Sequence, residues 1–170
     1  MRQDRPVVTV PARTQPRGPM QIQPAAPRHF EAVRQLLAAS DLPDEDLTPS
    51  HLEHFFVAQD GNTLVGVVGA ELYGDAGLLR SLAVAPTHRR DGVGARLTDA
   101  IEQYARRMGA SALYLLTTTA AEYFERRGYQ RVERDAVPRP IQATDEAARL
   151  CPSSAICMRK RIDTASEERA

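Results

Sequence analysis

The densest chemical signal in the sequence lies between Leu78 and Leu97. An apolar run, Leu78-Leu79-Arg80-Ser81-Leu82-Ala83-Val84-Ala85, is stopped by Pro86. The basic stretch Thr87-His88-Arg89-Arg90-Asp91-Gly92-Val93-Gly94-Ala95-Arg96-Leu97 follows at once. A strand, a glycine-containing basic turn and a helix start can together hold an anion. Backbone N–H groups in a helix's first turn have no partner within the helix and sit at its positive end. Gly92 and Gly94 let the backbone approach closely, and Arg89 and Arg90 add charge-assisted hydrogen bonds. The third glycine of a dinucleotide fingerprint and the Gly-Lys-Ser/Thr ending of a Walker loop are both lacking.

The surrounding elements must present that segment. Met20–Ala25 reads as a short strand. Phe30, Val33, Leu36 and Leu37 recur at helical spacing after Pro27. Ser40–Thr48 is an acidic loop, and Pro49–Glu53 a short helix. His54–Gln59 and Asn62–Leu72 form a hairpin through Asp60-Gly61, and Tyr73-Gly74-Asp75 turns into the strand Gly77–Ala85. A helix runs from near Gly92 to Met108, with Val93, Leu97, Ile101 and Tyr104 on one face and Gly109 as its C-cap. Ala112–Thr117 is a buried strand and Ala120–Arg127 a short helix. Tyr129–Glu133 and Ser154–Arg161 supply the last strands. A meander followed by a strand–helix–strand unit predicts a mixed sheet flanked by helices, an α/β (α+β) fold.

Length and composition bound the rest. The 170 residues suit one domain, and 42% apolar and 26% charged residues are ordinary for a globular chain. No run reaches the ~18 apolar residues of a membrane span, and no secretory leader is legible. Formal net charge is zero, which gives no field to attract nucleic acid or an anionic membrane. Residues 1–19, with Pro6, Pro11, Pro16 and Pro19, read as a disordered tail, 20–161 as the domain and 162–170 as a polar tail. Cys151 and Cys157 make no disulfide framework, so a cytoplasmic setting is expected. They read as two small buried hydrophobes. His29, His51, His54 and His88 lack metal-ligand spacing, and His88 reads as solvated.

The pattern Ala83-Val84-x-Pro86 and then Arg89-x-x-Gly92-x-Gly94 resembles the acetyl-CoA-binding core of the GNAT N-acetyltransferases. The resemblance extends in element order from about Met20 to Arg161, including Phe124-Glu125-Arg126-Arg127-Gly128-Tyr129. It implies a mostly antiparallel six- to seven-stranded sheet with about four helices, and direct transfer of acetyl from acetyl-CoA, without a metal. Backbone at Leu82, Ala83 and Val84 would bind pantetheine and polarise the thioester carbonyl. Amides of Arg89, Arg90, Asp91, Gly92, Val93, Gly94 and Ala95 would hold the pyrophosphate. Partners implied are a small-molecule amine, with no nucleic acid or membrane, and a homodimer is among the expected assemblies.

The chain departs from the family pattern at several places. Where many members carry a tyrosine acid, this chain has Phe124, with Tyr123 one residue earlier and turned by about 100° on a helix. Either Tyr123 reaches the sulfur from another angle or no tyrosine acid is used. Thr117-Thr118-Thr119 replaces a frequent asparagine, and Thr119 is suited to cap the helix. Arg80 stands where relatives often have an acid. With a two-residue turn, Glu71 and Arg80 share a face as diagonal neighbours; an odd loop would separate them. They then form either a cross-strand ion pair, or an anion clamp at Arg80 with Glu71 a general base through water, and Thr117 contacts substrate beside Arg80.

Leu113–Thr119, Tyr123-Phe124 and Cys151-Pro152-Ser153-Ser154-Ala155 also resemble a GNAT subgroup associated with arsenic-resistance genes. That implies a small anionic amino-acid-like acceptor of the arsinothricin or phosphinothricin type. The alternatives are a protein or peptide N-acetyltransferase and a non-catalytic acyl-CoA-binding module.

Overall fold

The computed structural model describes residues 20–144, 147 and 154–162; the readings of residues 1–19, of Cys151 and of the tail past Ile162 fall outside them. Seven strands form one sheet in the order β1-β2-β3-β4-β5-β7-β6. They are β1 (Gln21–Pro24), β2 (Phe55–Asp60), β3 (Thr63–Tyr73), β4 (Ala76–Val84), β5 (Ala112–Thr117), β6 (Gln130–Val132) and β7 (Ile156–Arg161). Every neighbouring pair is antiparallel except β4–β5. The expected strands appear with ends shifted by a residue or two. The first hairpin turns on Gly61-Asn62, because Asp60 already pairs with Thr63. Gly61 takes the left-handed φ of 66° that this turn needs.

Among the described residues four α-helices cover the sheet: α1 (Phe30–Ala39), α2 (Val93–Arg107), α3 (Ala121–Arg126) and α4 (Arg139–Gln142). The segment expected as a second helix is a 3-10 helix, Pro49–His54. On one face, Val93, Leu97, Ile101 and Ala105 of α2 pack with Val68, Ala70, Leu79, Leu113 and Phe124. On the other, Val33 and Leu37 of α1 pack with Leu47, Leu52, Phe55, Val67 and Ala83. A third cluster, around Leu78, Tyr114 and Ile141, lies under β4 and β5. Ile162, expected in the tail, belongs to the folded domain: it is 2% exposed, and its N–H donates to the Ser111 carbonyl.

Two chain entries share an unusual device, a histidine accepting a backbone N–H. Ala26 N–H donates to His29 Nδ1 at 2.9 Å, and Thr48 N–H donates to His51 Nδ1 at 3.0 Å. Each ring nitrogen that accepts must be unprotonated, so the neutral ring carries its hydrogen on Nε2. His29 is buried, and its Nε2 has no partner among the described residues. Burial, with the charge of Arg28 second, holds its pKa below the ordinary 6.5.

The unfolded chain therefore takes up a proton that the folded chain refuses. Stability is complete above pH 6.5 and falls as pH drops below it toward the folded pKa. Urea melts should show His29→Gln with a shallower stability loss as pH falls below 6.5. An unchanged slope would refute the assignment.

Candidate active site

The parallel strands β4 and β5 pair only through Ala76–Ala112, Gly77–Leu113 and Leu78–Tyr114. Beyond that they part. On the β3 side the register slips between Val67 and Gly69, which face Ala83 and Arg80. An extra residue therefore bulges from β4 at Ser81-Leu82, and Ser81 adopts a left-handed φ of 64°. No glycine announces this bulge. A cleft of about 750 Å³ opens in the gap, lined by Leu79–Leu82, Val84, Arg89, Leu115–Ala120 and Phe124. The loop Ser40–Glu45 forms its rim.

At one end of the gap the chain passes through a 3-10 turn, Pro86–His88, and enters α2 behind Gly92 at φ 80°. The first helical hydrogen bond of α2 is Arg96 N–H to the Gly92 carbonyl, so the earlier amides lie ahead of the ladder. Arg89 Nε donates to the Val84 carbonyl at 3.0 Å, holding the turn against the end of β4. Arg90 takes a left-handed φ of 81°. His88 is not solvated: it is buried, with Nε2 2.9 Å from Asp60 Oδ2 and Nδ1 2.8 Å from Thr87 Oγ1. That pair fastens the turn to β2. Of Leu82–Val84 and Arg89–Ala95, the residues Leu82, Val84 and Arg89 line the cleft, whereas Ala83 packs in the cluster under α1.

Behind the bulge lies a buried ion cluster. The β3–β4 turn has two residues, since Tyr73 faces Ala76, so Glu71 and Arg80 share a face. Arg80 Nη1 donates to Glu71 Oε2 at 2.6 Å. Asp46, from the acidic loop, takes the same guanidinium in a fork, at 2.6 Å from Nη1 and 2.7 Å from Nη2. Arg80 Nε donates to Ser81 Oγ at 3.0 Å, tying the cluster to the bulge. The Arg80 side chain is wholly buried. Burial pushes the Asp46 carboxyl up, but hydrogen bonds and charge from Arg80 outweigh it and leave it below 3.8. Tyr73 donates to Glu71 Oε1 at 2.6 Å, and burial followed by that bond raises its hydroxyl pKa.

The cross-strand ion pair is therefore present. Arg80 lines the cleft, whereas Glu71 lines a smaller pocket of about 220 Å³ with Ser50, His51, His54 and Tyr73. Asp46, His51 and Glu71 offer ligand atoms within 4.8 Å of one another. Yet Arg80 donates to both carboxylates, and Thr48 occupies the Nδ1 lone pair of His51. The group is built for a guanidinium and not for a cation. Asp46 escaped the sequence reading because it lies 34 positions from Arg80. An arginine buried in a strand does call for charged partners, and the acidic loop was the place to seek them.

The structure separates the two aromatic candidates. Phe124 is buried, stacks edge-on with Tyr123 and Tyr129, and lines the cleft. Tyr123 is not among the cleft-lining residues; its hydroxyl lies 3.4 Å from Thr98 Oγ1, against the Gly94 turn of α2. Thr117 lines the cleft at the end of β5. Its Oγ1 accepts N–H bonds from Ala120 at 2.9 Å and Thr119 at 3.3 Å. Thr117, and not Thr119, thus satisfies the amides entering α3. Cys157 is buried on β7, and burial raises its thiol pKa.

A sequence model of the acetyltransferase (GNAT) family matches residues 23–129. An amino-acid acetyltransferase of Neisseria meningitidis is 32% identical over 91 residues, 52% of this chain and 21% of that protein. One from Pseudomonas putida is 39% identical over 82 residues, 46% and 18% of the two chains. The chain therefore spans about a fifth of the curated relatives it matches. Among solved structures, N-acetylglutamate synthase from Neisseria gonorrhoeae, complexed with coenzyme A and L-arginine, superposes with a TM-score of 0.73 at 23% identity. The match covers 84% of this chain and 33% of that one. A GNAT-family acetyltransferase of Staphylococcus aureus gives 0.66 at 17% identity, covering 85% and 100%.

Proposed function

We propose, from the premise that the chain belongs to the acetyltransferase (GNAT) family, that it moves an acetyl group from acetyl-CoA to the amino group of a small amino-acid-like acceptor. The observation that carries this is the gap between β4 and β5. It opens at the bulge and ends on the glycine turn of α2. Pyrophosphate would lie on the amides of Arg90 and Gly92–Ala95, since those of Arg89 and Asp91 donate to the Pro86 and His88 carbonyls, and pantetheine would lie along Leu82–Val84. The thioester would reach the bulge, where backbone amides can polarise its carbonyl. The amine then attacks directly. Its lone pair forms the C–N bond, the C–S pair leaves on sulfur, and the nitrogen's extra proton passes to water.

The curated relatives are described as amino-acid acetyltransferases, which supports an amino-acid amine as acceptor. Within that class we favour an anionic acceptor of the arsinate or phosphinate kind. Its oxyanion would have to displace Asp46 from a guanidinium that is wholly buried, and Glu71 would act as base, through water, from the neighbouring pocket. A second reading, a basic peptide acceptor, is favoured by Asp41, Asp44 and Glu45 on the cleft rim. Among the described residues no helix is long and apolar enough to cross a membrane. The same reading carries a cytoplasmic setting, a homodimer among the expected assemblies, and no nucleic-acid or membrane partner.

Thiol release from acetyl-CoA, measured with phosphinothricin, arsinothricin, glutamate, aspartate and a peptide pool, decides among these. Turnover with the amino acids is the expected result. Turnover on peptides alone selects the second reading, and tight acetyl-CoA binding without turnover on any amine defeats the enzyme assignment.

A further inference from the structure

We infer that the Thr117 hydroxyl donates a hydrogen bond to the departing coenzyme A thiolate, in the role that no tyrosine of the cleft fills. The inference rests on the acetyl-transfer reading above. Counted equally along both strands from the Leu78–Tyr114 pair, Thr117 stands level with the Ser81-Leu82 bulge, across the gap. The bulge is where the thioester carbonyl would be polarised, so Thr117 faces the thioester from the opposite strand. The aromatic ring that lines this part of the cleft is Phe124, which has nothing to donate, and the Tyr123 hydroxyl is turned to Thr98 and α2.

The local bonding fixes where the threonine proton goes. Thr117 Oγ1 already accepts from the amides of Thr119 and Ala120, on the side facing α3. With its two lone pairs engaged there, the hydroxyl hydrogen must find an acceptor elsewhere, and the side chain lines the cleft. Two N–H donors on the oxygen also polarise its O–H bond, which strengthens it as a donor. The other cleft hydroxyls are placed less well. Thr118 and Thr119 are exposed, Ser40 stands in the rim loop after α1, and Ser81 Oγ is drawn back to Arg80 Nε. In the step itself the C–S electron pair moves to sulfur, and the Thr117 O–H proton bridges to that sulfur without being transferred. The thiolate takes its proton from water on release.

The test is steady-state kinetics of the full chain, with acetyl-CoA binding measured separately by calorimetry. Thr117→Val should lower kcat about 10- to 100-fold, the usual worth of a hydrogen bond to a charged group. The acetyl-CoA dissociation constant should move less than threefold, as about 0.6 kcal/mol corresponds to that factor. Thr117→Ser keeps both the amide contacts and the donor, and should retain most of kcat. The double variant Thr117→Val/Phe124→Tyr should recover part of the loss, which a mere helix-capping role could not produce. A Thr117→Val enzyme within twofold of wild type, or Thr117→Ser as impaired as Thr117→Val, overturns the inference. Absence of turnover by the wild-type chain with every amine would instead defeat the acetyl-transfer reading on which it rests.

Discussion

Arg80→Met is expected to cost about 3–5 kcal/mol of folding stability, because breaking a buried ion pair strands the partner charge. Here it strands two. The Asp46 and Glu71 side chains are only 4% and 14% exposed, and both point at the same guanidinium. Lysine is a poor replacement, since it cannot reproduce the fork to Asp46 while also reaching Glu71. The loss should shrink in acid. The wild-type pair stabilises above 3.8 and loses that contribution as pH falls through the lowered folded pKa of Asp46. In the variant the stranded Asp46 carboxylate simply takes up a proton. Urea melts at pH 7 and at about pH 4.5 would therefore show a smaller gap between the two proteins in acid. A gap of equal size at both values would mean that the cluster carries little charge-pair energy.

A second large effect concerns Gly94, in the first turn of α2. Gly94→Glu should weaken acetyl-CoA binding about 100-fold or more. A carboxylate set some 4 Å from a phosphate in a half-buried site repels it by about 4 kcal/mol. The same substitution should leave the melting temperature unchanged or raise it, because an acidic residue in a first turn favours the helix. A Cβ at this position would lie 3.3 Å from the Tyr123 hydroxyl, a contact that a small rotation of the ring relieves. Calorimetric titration with coenzyme A beside a thermal melt separates the two effects. If affinity and melting temperature fell together, the turn would be serving the fold and not the cofactor.

The local features of this site were readable from the chain, and the long-range ones were not. The strand, the turn and α2 are written in contiguous residues, Leu78 to Arg107, with Pro86, Gly92 and Gly94 as punctuation. The shared face of Glu71 and Arg80 followed from counting residues across Gly74-Asp75. Asp46 could not be counted in, because its loop reaches Arg80 through the packing of α1 on the sheet. The bulge was hidden for another reason: Ser81 adopts its left-handed φ without being glycine, held there by neighbours instead of by its own type. His88 was misread because its partner, Asp60, lies on β2. Which of three consecutive threonines would cap α3 depended on where β5 ended, a boundary that periodicity locates only loosely.

The parting of β4 from β5 leaves the sheet with two free edges in its middle. Strand edges normally invite pairing with other chains, and proteins blunt them with charge, proline or short length. Here the unpaired stretches face one another across the cleft, under the rim of Ser40–Glu45, where no second protein can lie flat against them. A slender ligand carrying amide groups can enter and bond to either edge as a makeshift strand. The break in hydrogen bonding is thus a filter by thickness as well as by chemistry. A single extended chain would bridge the two strands along the stretch where they are unpaired.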